Sequence, residues 1–135
     1  MTTAVLDTNV WLDWLVFDDP SAAPLRAAQA DGRLAVVASA ETRAELAVVL
    51  ARPLFGLDAA GVAARLAEHD RVAAVRAAAA GACTLRCTDA DDQKFLDLSV
   101  SARVRLLVTK DRALLRMAAR MQRAHGLRIA RPADL

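Results

Sequence analysis

Residues 4–14 read AVLDTNVWLDW. Three apolar residues, Ala4, Val5 and Leu6, run without a break into an acid, Asp7, and the chain turns at Thr8-Asn9 into a second apolar segment. A short unbroken apolar run bounded by a turn is the pattern of a strand buried on both faces. A carboxylate where such a strand stops is costly to bury unless a helix end, a cation or a reaction uses it. Near the other end, LLVTKDRALL (106–115) repeats the arrangement, with Asp111 in the place of Asp7. The two stretches together decide how the rest of the chain is read.

Outward from these anchors, short strands and helices alternate. Thr3–Leu6 reads as a strand and Asn9–Leu15 as a short helix. The turn-like DDPSAAP (18–24) precedes a helix to about Ala30, which Gly32 breaks. Residues 34–37 form a second strand, and Ser39 or Thr42 caps a helix that runs to Ala51 and stops before Pro53. Leu57-Asp58 opens another helix, interrupted near His69-Asp70 and ending near Gly81. Cys83–Cys87 is expected as the third strand, ahead of TDADD (88–92). Asp92–Arg103 reads as helix, Arg105–Thr109 as the fourth strand, Arg112–His125 as the last long helix with Gly126 as its stop, and Leu127–Ala130 as a fifth strand. Apolar strands of four to six residues separated by helices predict an α/β three-layer sandwich. Its centre is a parallel sheet of about five strands flanked by helices, in a single domain over residues 1–135.

Bulk composition narrows the class. Of the 135 residues 56% are hydrophobic, which excludes a disordered chain. A chain of this length can bury about 68% of the surface it would expose unfolded, so it needs no staple. No run of about 18 apolar residues lacks a charge, so no membrane span is expected. No basic stretch precedes an apolar one at the N-terminus, so no cleaved secretory signal is expected either. Cys83 and Cys87 have neither zinc-ligand nor redox spacing and read as reduced thiols, which suits a cytoplasmic protein. Arginine far outnumbers lysine and alanine is abundant, a bias of GC-rich bacterial genomes. Net charge is +2, yet Arg103–Arg131 holds nine basic residues against one acid, Asp111, a distribution able to meet a phosphate backbone.

In parallel sheets ligands bind beyond the carboxyl ends of the strands, where the strand order reverses. Four acids fall near that edge: Asp7, Glu45, Asp92 and Asp111. Each has an ordinary use. Asp7, Asp92 and Asp111 can cap helices, and Thr42-Arg43-Ala44-Glu45 spells a capping box. Four convergent carboxylates, however, repel one another by roughly 4 kcal/mol per close pair at an effective dielectric near 20. Either they are spaced apart or a cation lies among them, and magnesium, which takes a few carboxylates and keeps several waters, suits the second case.

The residues resemble those of a PIN domain, the nuclease fold of many bacterial toxin–antitoxin toxins, and the resemblance spans nearly the whole chain. VLDTNVWLD is similar to the family's opening strand and D-T-N. SAETRAELAVVLARPLF resembles the helix that carries its glutamate, and CTDADDQKFLDLSVSARVRLLVTKDRALL resembles its D-x-x-D-x-x-F-L stretch followed by a strand and T-x-D. The resemblance implies a metal-dependent endoribonuclease, the toxin of a type II pair. In it Asp7, Glu45, Asp92 and Asp111 hold Mg2+ or Mn2+ and carry the catalysis. Asn9, Thr109, Asp89 and Asp91 would lie behind these ligands, with the run D-A-D-D leaving Asp91 as an alternative to Asp92. Ala90 stands where the family often has proline. Implied partners are an RNA substrate, a cognate antitoxin and a second copy of the chain in a homodimer.

For RNA, Arg112, Arg116, Arg120 and Arg123 recur at helical spacing opposite Leu114, Met117, Ala118 and Met121, a solvated face or a phosphate track. Lys94 and Lys110 lie beside candidate ligands, within reach of a scissile phosphate. Trp11 and Trp14 read as core or interface residues, and His69 and His125 as surface or capping residues. Two other functions fit parts of the pattern. A haloacid-dehalogenase-type phosphohydrolase would use Asp7, Ser39, a lysine and the pair Asp91 and Asp92, but Asn9 stands where its general acid belongs. A non-catalytic module would keep the fold and use the arginines to hold RNA or protein.

Overall fold

A computed structural model describes all 135 residues. Five parallel strands, β1 (Thr2–Leu6), β2 (Leu34–Ala38), β3 (Ala73–Val75), β4 (Leu106–Val108) and β5 (Arg128–Ala130), form one sheet in the order β3-β2-β1-β4-β5. Seven α-helices flank it: α1 (Thr8–Leu15), α2 (Ala23–Ala30), α3 (Ala40–Leu50), α4 (Ala59–Val72), α5 (Gln93–Ser101), α6 (Arg112–Leu115) and α7 (Ala118–His125).

Side chains alternate between two cores with the period of two that a strand imposes. Ala4, Leu6, Val36, Ala38, Leu106 and Val108 pack with Trp11, Trp14, Leu25, Leu46, Leu50 and Val72 from α1 to α4. Val5, Val37, Leu107 and Ile129, between them in sequence, pack with Phe95, Leu96, Leu98, Leu114, Met117 and Met121 from α5, α6 and α7. The expected three-layer α/β sandwich is therefore the fold. Helices that link β1 to β2 to β3 cover one face and those that lead to β4 and β5 cover the other. Right-handed crossovers moving in opposite directions from a central strand require that division. The reversal falls between β1 and β4, so the edge beyond Leu6 and Val108 is the topological switch point.

Three elements depart from the sequence-based expectation. The third strand is Ala73–Val75, paired Val36↔Ala73 with β2, and not Cys83–Cys87. Helix α4 ends at Val72 and passes directly into it, because Ala73 is already extended. Residues 83–87 are held by side chains instead of a ladder: Asp97 accepts from the amides of Gly81 and Cys83 (3.1 and 3.0 Å), and Gln93 Oε1 accepts from Cys87 (2.8 Å). The last long helix breaks at Arg116-Met117 into α6 and α7. At its end Gly126 takes the left-handed conformation (φ 65°) that stops the chain, as expected. His69 is no surface residue: it is buried under Trp11, ring centroids 4.5 Å apart, and meets Asp70 through Nδ1 at 3.0 Å. Trp11 and Trp14 are core residues, 5.5 Å apart.

Candidate active site

The switch point gathers the acids. Asp7 follows β1 and is the first residue before α1, but its carboxylate makes no capping bond to that helix. Instead Oδ2 accepts the Thr109 hydroxyl at 2.7 Å, and that same hydroxyl oxygen accepts the Asp111 amide at 2.9 Å. Fully buried Thr109 thus ties the end of β1 to the loop after β4 through one oxygen. Asp111 does cap its helix, Oδ1 accepting from Ala113 at 2.7 Å. Burial lifts the Asp7 pKa above its usual value, the Thr109 bond pulls it back, and the charges of Asp111 and Glu45 push it up again.

Glu45 arrives on α3. The capping box expected at Thr42-Arg43-Ala44-Glu45 sits three residues earlier: the Ser39 hydroxyl accepts the Thr42 amide (3.1 Å) and Thr42 Oγ1 accepts the Ser39 amide (2.9 Å). Thr42 closes the box and does not open it, so Glu45 owes nothing to the helix start. One of its oxygens accepts from the Thr8 hydroxyl, and the other lies 2.7 Å from Lys94 Nζ. Thr8, which the sequence reading left without a role, is what aims Glu45. Asn9, expected to orient Asp7, is exposed, and Thr109 does that work.

Asp92 sits at the junction of a 3-10 turn (Ala90–Asp92) and α5, again with no capping bond. It is 8% exposed, its Oδ2 has no hydrogen-bond partner, and desolvation with the charges of Asp111, Asp7 and Asp89 pushes its pKa up to about 7. Carboxylate oxygens of Asp89, Asp92 and Asp111 lie within 4.8 Å of one another. Asp89, which the resemblance places behind the four acids, thus brings its carboxylate up to two of them, while Asp91 is exposed and gives only its amide, to Asp89 Oδ1 at 3.0 Å. Hard oxygen donors around a buried carboxylate that finds no donor of its own are the set a magnesium or manganese ion takes.

Both lysines singled out from sequence are paired. Lys94 holds Glu45, and Lys110 Nζ lies 2.6 Å from Oδ2 of Asp13, a buried acid of α1 that no sequence pattern flagged. Arg112 on α6, Arg116 at the break, and Arg120 and Arg123 on α7 are exposed, while Leu114, Met117 and Met121 are buried. No helix is long and apolar enough to cross a membrane. Comparison with curated proteins returns no match. The family model described as a PIN domain matches residues 3–113, which run from the first strand through Asp111. The chain belongs to the PIN domain family, and at the family level that makes it a nuclease.

Proposed function

We propose that the protein is a divalent-metal-dependent endoribonuclease and the toxin of a type II toxin–antitoxin pair. The observation that carries the metal dependence is the convergence at one sheet edge of Asp7, Glu45, Asp89, Asp92 and Asp111, with a buried Asp92 oxygen that nothing in the chain satisfies. Magnesium or manganese, held by Asp92, Asp111, Asp7 and Glu45 with Asp89 alongside, would neutralise a phosphoryl oxygen and acidify an attacking water.

The chain's own groups do the positioning. Thr109 fixes Asp7 and the Asp111 loop together, so the two carboxylates cannot drift apart as charge builds on the phosphate. Thr8 fixes Glu45. Arg112, Arg116, Arg120 and Arg123 lead away from Asp111 on an exposed face and would track the strand's phosphates. The Cys87 thiol, which feels the charges of Asp92, Asp111 and Asp89, is buried, and desolvation first and those charges next push its pKa up, so it is a poor nucleophile. The Ser39 hydroxyl, which a haloacid-dehalogenase-type site would need, is buried in the helix cap. The exposed Phe17 packs on Phe55 (5.7 Å) near the exposed Leu54, apolar surface of the kind an antitoxin or a second copy would cover.

The test is cleavage of a generic single-stranded RNA by the purified chain with Mg2+ or Mn2+, with EDTA, and with Asp92→Asn. Cleavage that needs the ion and is lost in the folded variant supports the reading. Equal cleavage in EDTA removes the metal from it. Growth arrest on expression, relieved by the neighbouring gene product, tests the toxin role.

A further inference from the structure

The five acids of the site are not equally free. Asp92 Oδ2 has no partner. Asp7 accepts the Thr109 hydroxyl, and Asp89 and Asp111 each accept one backbone amide, of Asp91 and Ala113, on a single oxygen. Glu45 has neither oxygen to spare: Thr8 holds Oε2, and the Lys94 ammonium holds Oε1 at 2.7 Å. Lys94 reaches it across the sheet edge, from the second residue of α5 to the middle of α3, forty-nine positions away.

That ion pair is half open. The Lys94 and Glu45 side chains are 28% and 25% exposed. Lys94 also lines a cleft of about 110 Å³ with Ser39, Glu41, Ala78, Ala79, Ala80 and Asp97. An ammonium so placed is dry enough to hold a carboxylate and wet enough to be drawn off by a stronger or nearer anion. A phosphodiester drawn to the acidic edge is such an anion, since the Lys94 ammonium already sits at that edge on Glu45.

We propose that Lys94 is a resident counter-cation that withholds Glu45 from the metal centre until an RNA phosphate takes its ammonium, so that completing the ion's ligand set is coupled to substrate. This rests on the reading of the acidic edge as a divalent-ion site. Asp89, Asp92 and Asp111 are the groups open to an ion in the free protein, and Glu45 is recruited by exchange. Because a coupling between two ligands is reciprocal, the exchange works in both directions: freeing Glu45 favours the ion, and neutralising Glu45 favours the phosphate.

Two thermodynamic cycles on the full-length chain test it, neither reading activity. In the first, calorimetric Mn2+ titrations are run on wild type, Lys94→Met, Glu45→Gln and the double variant. Lys94→Met is expected to bind Mn2+ about tenfold more tightly than wild type, of the order of one partly buried charge pair. That gain should disappear in the Glu45→Gln background. In the second, a short single-stranded phosphorothioate oligonucleotide is bound in EDTA. Glu45→Gln should bind it several-fold more tightly, and Lys94→Met should abolish the gain. Lys94→Gln, neutral but able to donate to Glu45, stands in if the methionine variant does not fold, with a smaller gain in the first cycle. Lys94 variants that bind Mn2+ no better than wild type overturn the proposal, as do gains that persist without the partner residue. If no folded variant binds Mn2+ at all, the divalent-ion reading falls, and the proposal's exchange with it. The EDTA cycle still reports whether Lys94 and Glu45 compete for phosphate.

Discussion

Asp7 and Asp92 stand at the same sheet edge and are buried to nearly the same degree, 4% and 8% exposed. Desolvation raises the pKa of both. They part in what surrounds them. Asp7 has a donor in Thr109, which opposes the rise. Asp92 has none at Oδ2, stands against the charges of Asp111, Asp7 and Asp89, and is pushed up to about 7. One carboxylate is finished by the fold and the other is left incomplete. Burying an acid without a partner costs free energy, and a cation from outside the chain is one group that can offset it.

The largest expected effect is on catalysis, and it falls on both residues. Asp7→Asn and Asp92→Asn should each lower RNA cleavage by at least about 10²–10³-fold, the range seen when one preorganised electrostatic contact is lost from an active site. Stability should separate them. Without divalent ions at pH 7.5, Asp92→Asn removes an uncompensated charge and should raise Tm by roughly 3–5 °C, about 1 kcal/mol for a chain of this size. Asp7→Asn also sheds the charge that Thr109 serves and should gain less. Thermal melts in EDTA read the difference, and equal shifts would erase the distinction between the two acids.

Proton linkage sharpens it further. The folded pKa of Asp92, about 7, lies above its ordinary value of 3.8, so between pH 4 and 7 the folded chain keeps a proton that the unfolded chain has lost. Stability in EDTA therefore falls as pH rises through that window and levels off above it, and Asp7 contributes in the same direction. Asp70 has the opposite sign. Its bidentate bond to Arg43, at 2.8 Å for both contacts, lowers it to about 2, so its contribution is in place above pH 4 and lost below. Melts in EDTA should give a lower Tm at pH 7.5 than at pH 4.5, with the gap narrowed in Asp92→Asn. Added Mg2+ should raise Tm mainly at pH 7.5.

The next effect concerns the group that finishes Asp7. Thr109→Val keeps the shape but removes the hydroxyl that donates to Asp7 and accepts from Asp111. Groups that orient metal ligands change affinity by about 10–100-fold when lost. Mn2+ affinity should fall by that much, with a pKa rise at Asp7 because the opposing bond is gone. An unchanged affinity would mean that the Thr109 bond serves only the fold.

How far the sequence foretold this follows from the physics of each element. Strands β1, β2 and β4 announce themselves as apolar runs ending in polar residues, and the acids after β1 and β4 mark the edge. Strand β3 does not, because Ala73-Ala74-Val75 continues the composition of the alanine-rich helix before it, and only pairing with Val36–Ala38 makes it extended. Cys83–Cys87 imitates a strand in composition, yet the acceptor oxygens that hold its amides come from Asp97 and Gln93 on α5. Asp7 and Asp111 were legible because each follows a strand, and Thr109 because it stands between β4 and Asp111, whereas Asp92 was placed by a strand that does not form. The partners of Glu45 were not legible. Thr8 reaches Glu45 across 37 residues and Lys94 reaches it across 49, separations that no local pattern encodes. Lys110 and Asp13 escape for the same reason.

Asn9 supplies the smallest effect and the finest cut. The D-T-N spelling gives Asn9 the same standing as Asp7 and Thr8, and the resemblance assigns it to Asp7. Its side chain is exposed on α1, while Asp7 Oδ2 accepts from Thr109, just after β4. Exposed substitutions away from special contacts shift stability by less than about 0.5 kcal/mol, roughly twofold in an equilibrium. Asn9→Ala should therefore leave Mn2+ affinity and the EDTA melt within about twofold of wild type, on the same scale. Thr8→Val, its neighbour, removes the hydroxyl that donates to Glu45 and should lower the Tm in EDTA by more than Asn9→Ala does. If Asn9→Ala proves as damaging as Thr109→Val, then Asp7 is completed from α1 as well as from β4. It would then have two positioning groups against none for Asp92, and the contrast between the two acids would widen.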